Sequence, residues 1–198
     1  MMLEAIRAHL RMSADVFAQM ADQLAEPTAQ AARMLIDAVR AGHTVYVCGD
    51  GGSAAQAQHI AGEFIGRFLK ERPAMPCVAL TTDTSILTAV ANDYDFEDVF
   101  ARQVEGLVKE GDVLWALSTS GNSVNVLKAA SAARKRGAKV LGMAGRDGGK
   151  LKQLCDVALC VPADSSPPIQ EGHLALLHVL CGLVEEGAFA ADPPQEQG

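Results

Sequence analysis

Two loops constrain the fold of this chain more than anything else in it: Gly49-Asp50-Gly51-Gly52-Ser53 and Ser118-Thr119-Ser120-Gly121-Asn122-Ser123, each between an apolar strand pattern and a helix pattern. Val45-Tyr46-Val47-Cys48 runs into the first and Val113-Leu114-Trp115-Ala116-Leu117 into the second. Both loops therefore leave the carboxyl end of a parallel sheet, where ligands bind in open α/β folds. Glycines let the backbone approach an anion, while hydroxyls and the free amides of a helix start supply donors. The second loop holds four hydroxyls, on Ser118, Thr119, Ser120 and Ser123, where a turn with one helix cap needs one. Together the loops predict a phosphate cradle.

The rest of the pattern agrees with an α/β protein. Strands are expected at 44–48, 76–80, 112–117, 139–143 and 157–161, and helices at 53–69, 84–92, 95–108, 123–136 and 169–189. Continuous apolar strands such as Val140-Leu141-Gly142-Met143 imply a five-stranded parallel sheet with helices on both faces, a Rossmann-like three-layer sandwich. An N-terminal helical pair precedes it, one helix over 3–24 and a second opened by Pro27, running through Ala41 and stopping at Gly42. The segment Pro162 to Pro168 reads as a loop because its prolines lack donors. At 198 residues with 49% hydrophobic content, one domain over 1–190 is expected, followed by a disordered tail at 191–198 that has nothing apolar to bury.

Seventeen basic against 24 acidic side chains give a net charge of −7, which argues against a general nucleic-acid surface and focuses any anion site on a small region. The five cysteines, Cys48, Cys77, Cys155, Cys160 and Cys181, fall mostly in apolar contexts and read as reduced core residues. The N-terminus lacks the apolar stretch of a signal peptide and no run reaches membrane-spanning length, so a cytoplasmic protein without membrane contact is expected. The last helix carries Leu174, Leu177, Val179, Leu180, Leu183 and Val184, more apolar circumference than one sheet face needs. That excess favours burial against another subunit.

No G-x-G-x-x-G with dinucleotide spacing and no G-x-x-x-x-G-K-[ST] is present, which leaves a small phosphorylated substrate as the best ligand class. His59 and Glu63 stand four residues apart on the helix launched by the first loop, about 40° apart around its axis, so both can face one ligand. Arg67 lies four residues further on, where an ion pair with Glu63 competes. Gln170 and His178 on the last helix are separated by about 80° and about 12 Å. Either Gln170 lies in a bent entry to the helix, or one of the two serves another subunit's site. Asn92 and Asp93 could border the cleft or cap helices, as could Thr81-Thr82-Asp83. His9 and His43 have no supporting neighbours and read as surface residues.

These motifs resemble the sugar isomerase (SIS) domain family. The resemblance rests on Gly49 to Ser53, Gln58-His59-Ile60-Ala61-Gly62-Glu63, Ala91-Asn92-Asp93-Tyr94, Ser118 to Ser123, and Ile169-Gln170-Glu171-Gly172-His173 with His178. It extends from the N-terminal helices to about Gly187. Within the family the chain is most similar to enzymes that convert sedoheptulose 7-phosphate to D-glycero-D-manno-heptose 7-phosphate, the start of heptose synthesis for lipopolysaccharide. The resemblance implies a homotetramer with sites at subunit interfaces, and one zinc per subunit held by His59, Glu63, Gln170 and His178. It implies Glu63 and His178 as base and acid. Substrate contacts are implied from Gly51, Gly52, Ser53, Glu63, Asn92, Asp93, Ser118, Thr119, Ser120, Ser123 and Gln170. Asp50 stands where many relatives have Asn.

Ketose-to-aldose conversion through an enediol needs a base, a proton donor and charge stabilisation near the oxygens, and these residue types supply them. Whether Glu63 is mainly base or zinc ligand stays open at this stage. The rival reading is a non-enzymatic SIS regulator that binds the bacterial replication initiator. It is disfavoured because Glu63, Gln170 and His178 are all present. A sugar-phosphate-sensing transcription regulator would need a DNA-binding domain, and the residues before the first strand do not supply one.

Overall fold

The computed structural model describes residues 1–189; the tail expected at 191–198 lies outside the described residues. Helix α1 (Met2–Arg40) leads into β1 (Val45–Cys48), α2 (Gly52–Ile65), β2 (Cys77–Ala79), α3 (Thr84–Asp93) and, after a 3-10 turn, α4 (Ala101–Leu107). Then follow β3 (Val113–Leu117), α5 (Val124–Lys135), β4 (Lys139–Gly145), β5 (Val157–Val161) and α6 (Ser166–Ala188). All strand pairs are parallel, in the order β2-β1-β3-β4-β5. The expected five-stranded parallel sheet is what forms.

Alternation along each strand assigns its side chains to two cores. Val45, Val47, Val113, Trp115, Leu117, Leu141 and Met143 face α1, α2 and α6, whereas Tyr46, Cys48, Leu114, Ala116 and Val140 face α3, α4 and α5. Sequence reversal between β1 and β3 makes these adjacent strands the switch point, where a crevice opens at the carboxyl ends. Both predicted loops leave those two strands.

Three expectations are corrected. The N-terminal helical pair is one continuous helix, with Pro27 inside it. A proline within a helix costs about 3 kcal/mol, but Val16, Met20, Leu24, Ala31 and Leu35 form a buried stripe that runs across it. Each large buried side chain contributes roughly 1.5–3 kcal/mol, so burial outweighs the lost hydrogen bond. Second, Ser166, Pro167 and Pro168 are the first turn of α6 rather than loop; first-turn amides need no partner in the helix, which makes proline acceptable there. Third, the helix expected at 95–108 is split into a 3-10 turn at Phe96–Asp98 and α4. Asp95 starts the turn by accepting from the Glu97 amide at 2.8 Å.

The cysteines are free, with Cys48, Cys77 and Cys181 buried. Burial pushes the Cys48 thiol up, and the charge of Asp50 adds to it. Among the described residues no helix is long and apolar enough to cross a membrane.

His173 on α6 is 0% exposed. Its Nε2 lies 3.1 Å from the carbonyl of Ala144 and so carries the proton, leaving Nδ1 without a partner. Burial lowers the pKa of this imidazole to about 4, against the opposing hydrogen bond. Unfolded histidine titrates near 6.5, so the unfolded chain binds the extra proton first as pH falls. Stability from this site is complete above pH 6.5 and declines to a loss of about 3 kcal/mol by pH 4. Urea titrations of wild type and His173→Leu at pH 7 and 4.5 check this; a difference between the two proteins that does not change with pH refutes it.

Candidate active site

The first loop turns at Gly51, whose φ of +55° suits glycine. It places Ser53, 3% exposed, at the start of α2. The second loop is folded on its own hydroxyls. Ser118 Oγ donates to Ser123 Oγ at 3.0 Å, Ser120 Oγ accepts from the Asn122 amide at 3.1 Å, and Thr119 Oγ1 lies 3.3 Å from Ser166 Oγ. Neither α2 nor α5, the helices that begin at these loops, has a side-chain cap at its N-terminus. By contrast, Asp83 caps α3 by accepting from the Ile86 amide at 3.0 Å. The Ser53 amide is bonded to the Asp50 carbonyl at 2.9 Å and the Val126 amide to Asn125 Oδ1 at 2.8 Å, so the hydroxyls beside these two helix starts are the main donors offered to an anion at the switch point.

Asp50 is tied down by Asn125 Nδ2, which donates to it at 2.8 Å, so the acidic residue of the first loop holds the second strand-to-helix connection. Gln170 approaches from α6. A Cβ added to Gly52 would lie 2.6 Å from its Nε2, and its main-chain carbonyl accepts from Gln56 Nε2 at 2.7 Å. The start of α6 is thereby locked onto the start of α2.

Six residues beyond Ser53, about 9 Å along α2, His59 and Glu63 meet His178 of α6. His59 Nε2 lies 2.9 Å from Glu63 Oε1 and 3.4 Å from His178 Nε2. Ligand atoms of the three residues all fall within 4.8 Å of one another. Zinc–nitrogen bonds of about 2.0–2.1 Å at tetrahedral angles place ligand atoms about 3.3 Å apart, so two imidazoles and a carboxylate in this arrangement fit such an ion. Phe68 stacks on the His178 ring, centroid to centroid 5.8 Å and 24° between planes.

The other sequence candidates divide. Glu63 pairs with His59 and not with Arg67, which lies 4.0 Å from Glu71. Gln170 rests on Gly52, two turns of α2 before His59. Asn92 and Asp93 end α3 with their side chains bonded to each other at 2.8 Å, both exposed. The reading of His9 as an isolated surface residue is corrected: His9 Nε2 lies 2.8 Å from Glu171 Oε1, and Ser13 Oγ donates to the other oxygen of that carboxylate. These three residues and His178 line one cavity of about 440 Å³. His9 and Glu171 are 162 residues apart in the chain, so no local spacing could have revealed the contact.

A doubly wound parallel sheet with a hydroxyl and glycine cradle at its switch point defines an α/β protein of the class that takes small ligands at the strand ends. The pattern of the SIS domain matches residues 8–145. A phosphoheptose isomerase of Rhodospirillum rubrum is 52% identical over 185 residues, covering 93% of this chain and 98% of the relative. Among solved structures, the phosphoheptose isomerase of Neisseria gonorrhoeae superposes with a TM-score of 0.89 at 42% identity, covering 94% of this chain and 100% of the other. That of Francisella tularensis gives 0.91 at 36%, covering 94% and 99%. The chain belongs to the SIS domain family, in its phosphoheptose isomerase branch.

Proposed function

We propose that this enzyme converts sedoheptulose 7-phosphate to D-glycero-D-manno-heptose 7-phosphate, in the cytoplasm, as the entry to heptose precursors of lipopolysaccharide. One observation carries the reading: α2 begins at the phosphate cradle and about two turns later presents His59 and Glu63 to His178. One end of a sugar phosphate is then gripped while the other meets acid and base groups.

Gly51, Gly52, Ser53 and the hydroxyls of Ser118, Thr119, Ser120 and Ser123 hold the phosphate in this reading. Glu63 takes a proton from C1 while His178 supplies one to the carbonyl oxygen at C2, forming an enediol. Return of a proton to C2 and loss of one from the C1 hydroxyl complete the aldose. Asn92, Asp93 and Gln170 are assigned to the sugar hydroxyls. His59, Glu63, Gln170 and His178 would hold one zinc per subunit, which when bound polarises the substrate oxygens as a Lewis acid.

A homotetramer built from a single domain over 1–190 belongs to the same proposal. Phe17, Val179 and Leu183 are exposed. With Met20, Leu24 and Leu176 they line an apolar groove of about 370 Å³ between α1 and α6, the kind of face a second copy covers. Gln170, held on Gly52 in its own chain, would then complete a neighbour's site. Metal analysis is expected to find zinc, and light scattering four chains. A metal-free monomer with full activity would refute both expectations.

The direct test is turnover of sedoheptulose 7-phosphate by purified protein, after chelation and after zinc is restored. Activity that is lost and regained supports the reading; no turnover in either state refutes it. For the cradle, Ser120→Ala and Thr119→Val should each weaken substrate binding by about 1–2 kcal/mol, the scale of a hydrogen bond to a charged group. Wild-type KM in both variants would place the phosphate elsewhere.

A further inference from the structure

A buried ion pair between α6 and the segment that follows α2 has no part in the chemistry above. Arg72 and Glu185 have side chains only 3% and 2% exposed, with Nε to Oε1 at 3.1 Å. The other donors of the guanidinium turn to the end of α2. Nη2 donates to the carbonyl of Glu63 at 2.7 Å, and Nη1 donates to the carbonyls of Phe64 at 2.7 Å and Pro73 at 3.0 Å. The Glu63 and Phe64 carbonyls belong to the last turn of α2, where carbonyls lack a helical partner, and the Phe64 carbonyl also accepts from the Met75 amide at 3.0 Å, so a planar cation with fixed donors orients that turn against the chain that follows it. The main chain of Glu63 is gripped directly.

Glu185 completes the clip from α6, seven residues after His178. Its carboxylate accepts from the amides of Phe68 at 2.9 Å, Leu69 at 2.8 Å and Lys70 at 2.8 Å. Phe68 is the residue whose ring stacks on His178. One buried carboxylate thus reaches Glu63 through Arg72 and His178 through Phe68. Burying an ion pair is an inefficient way to stabilise a fold, since an apolar pair of similar volume often does as well or better. What the pair adds is direction: eight hydrogen-bonding groups of known geometry, at the junction of the two helices.

We infer that the Arg72–Glu185 pair is a positioning device that sets Glu63 and His178 relative to each other, through the end of α2 on one side and the Phe68 ring on the other. Its catalytic consequence rests on the function proposed above. Misplacement of reacting groups by about an ångström is enough to cost rate without costing affinity.

The test uses the full-length protein as purified, with histidine labelled at Cε1 and the His178 signal assigned by its loss in His178→Asn. Glu185→Gln keeps size but removes the charge opposite Arg72; Arg72→Lys keeps charge but loses the fork. In both, the His178 ring signal should shift. At a temperature where circular dichroism shows the variants folded, kcat should fall roughly tenfold to a hundredfold while KM stays within about twofold. Phe68→Leu, which leaves the ion pair intact, should lower kcat in the same manner. Val140→Ala, destabilising on the opposite sheet face, should move neither readout. An unmoved His178 signal, or wild-type kcat, in folded Glu185→Gln and Arg72→Lys overturns the inference. Should wild type fail to turn over the heptulose phosphate, the function reading fails on that arm, and the His178 signal still decides the positioning role.

Discussion

Replacing Glu63 with Gln should lower kcat by about a hundredfold or more, the range for loss of a general base. The substitution preserves volume and hydrogen bonding toward His59, which lies 2.9 Å away. It does not touch the main-chain carbonyl held by Arg72 at 2.7 Å. Folding and substrate affinity are therefore expected to survive while the proton acceptor is lost. Zinc content measured alongside separates two roles: a slow variant with full metal identifies the carboxylate as base, and a slow variant that has lost metal identifies it chiefly as ligand. His178→Ala should also cut turnover, and the double variant should lose less than the product of the single effects if the two act as a unit. Near-wild-type turnover by folded Glu63→Gln would show that another group is the base.

Gly121→Ala is the second large effect, and it acts through the cradle. Gly121 has φ +64°, and an added Cβ would lie 2.1 Å from the carbonyl oxygen of Gly148 and 2.5 Å from its carbon. Both are backbone atoms of the loop after β4, which cannot swing aside as a side chain would. The same loop is stitched to the hydroxyl loop, since the Gly145 amide donates to Thr119 at 3.0 Å and the Leu151 amide to Gly121 at 2.9 Å. Alanine in the left-handed region costs about 1–2 kcal/mol by itself, and the clash must then push the two loops apart. A further loss of about 1.4 kcal/mol in substrate binding, roughly tenfold in KM, is the expected result. Gly42→Ala is the control, because Gly42 has φ +77° and nothing within 4 Å of its added Cβ. Urea denaturation and KM should show Gly121→Ala worse on both counts; equality with Gly42→Ala would mean that the loops do not support each other.

Much of this protein is legible without coordinates, for identifiable physical reasons. Strands buried on both faces read as unbroken apolar runs, so Val45-Tyr46-Val47-Cys48 and Val113 to Leu117 mark themselves. Glycines and hydroxyls crowded at a strand-to-helix turn mark the two loops that the structure places side by side at the switch point. His59 and Glu63 share a helix face through a spacing of four, which is local geometry and therefore readable. Local rules failed where distant packing outvoted them: the stripe from Val16 to Leu35 carries α1 through Pro27, and the first turn of α6 absorbs Pro167 and Pro168.

What the sequence by itself determined is the alternation of strand and helix, the two glycine- and hydroxyl-bearing loops at strand ends, and the pairing of His59 with Glu63 on one face. Only the tertiary structure decided that His178 comes to His59, 119 residues away, that Gln170 settles on Gly52, that His9 meets Glu171, and that Glu185 reaches back 113 residues to Arg72. Periodicity reports which face of an element is apolar, but it carries no information about which element covers that face. The contacts that join α2 to α6 exist only because both helices pack on the same face of one sheet, and that packing is a property of the whole chain.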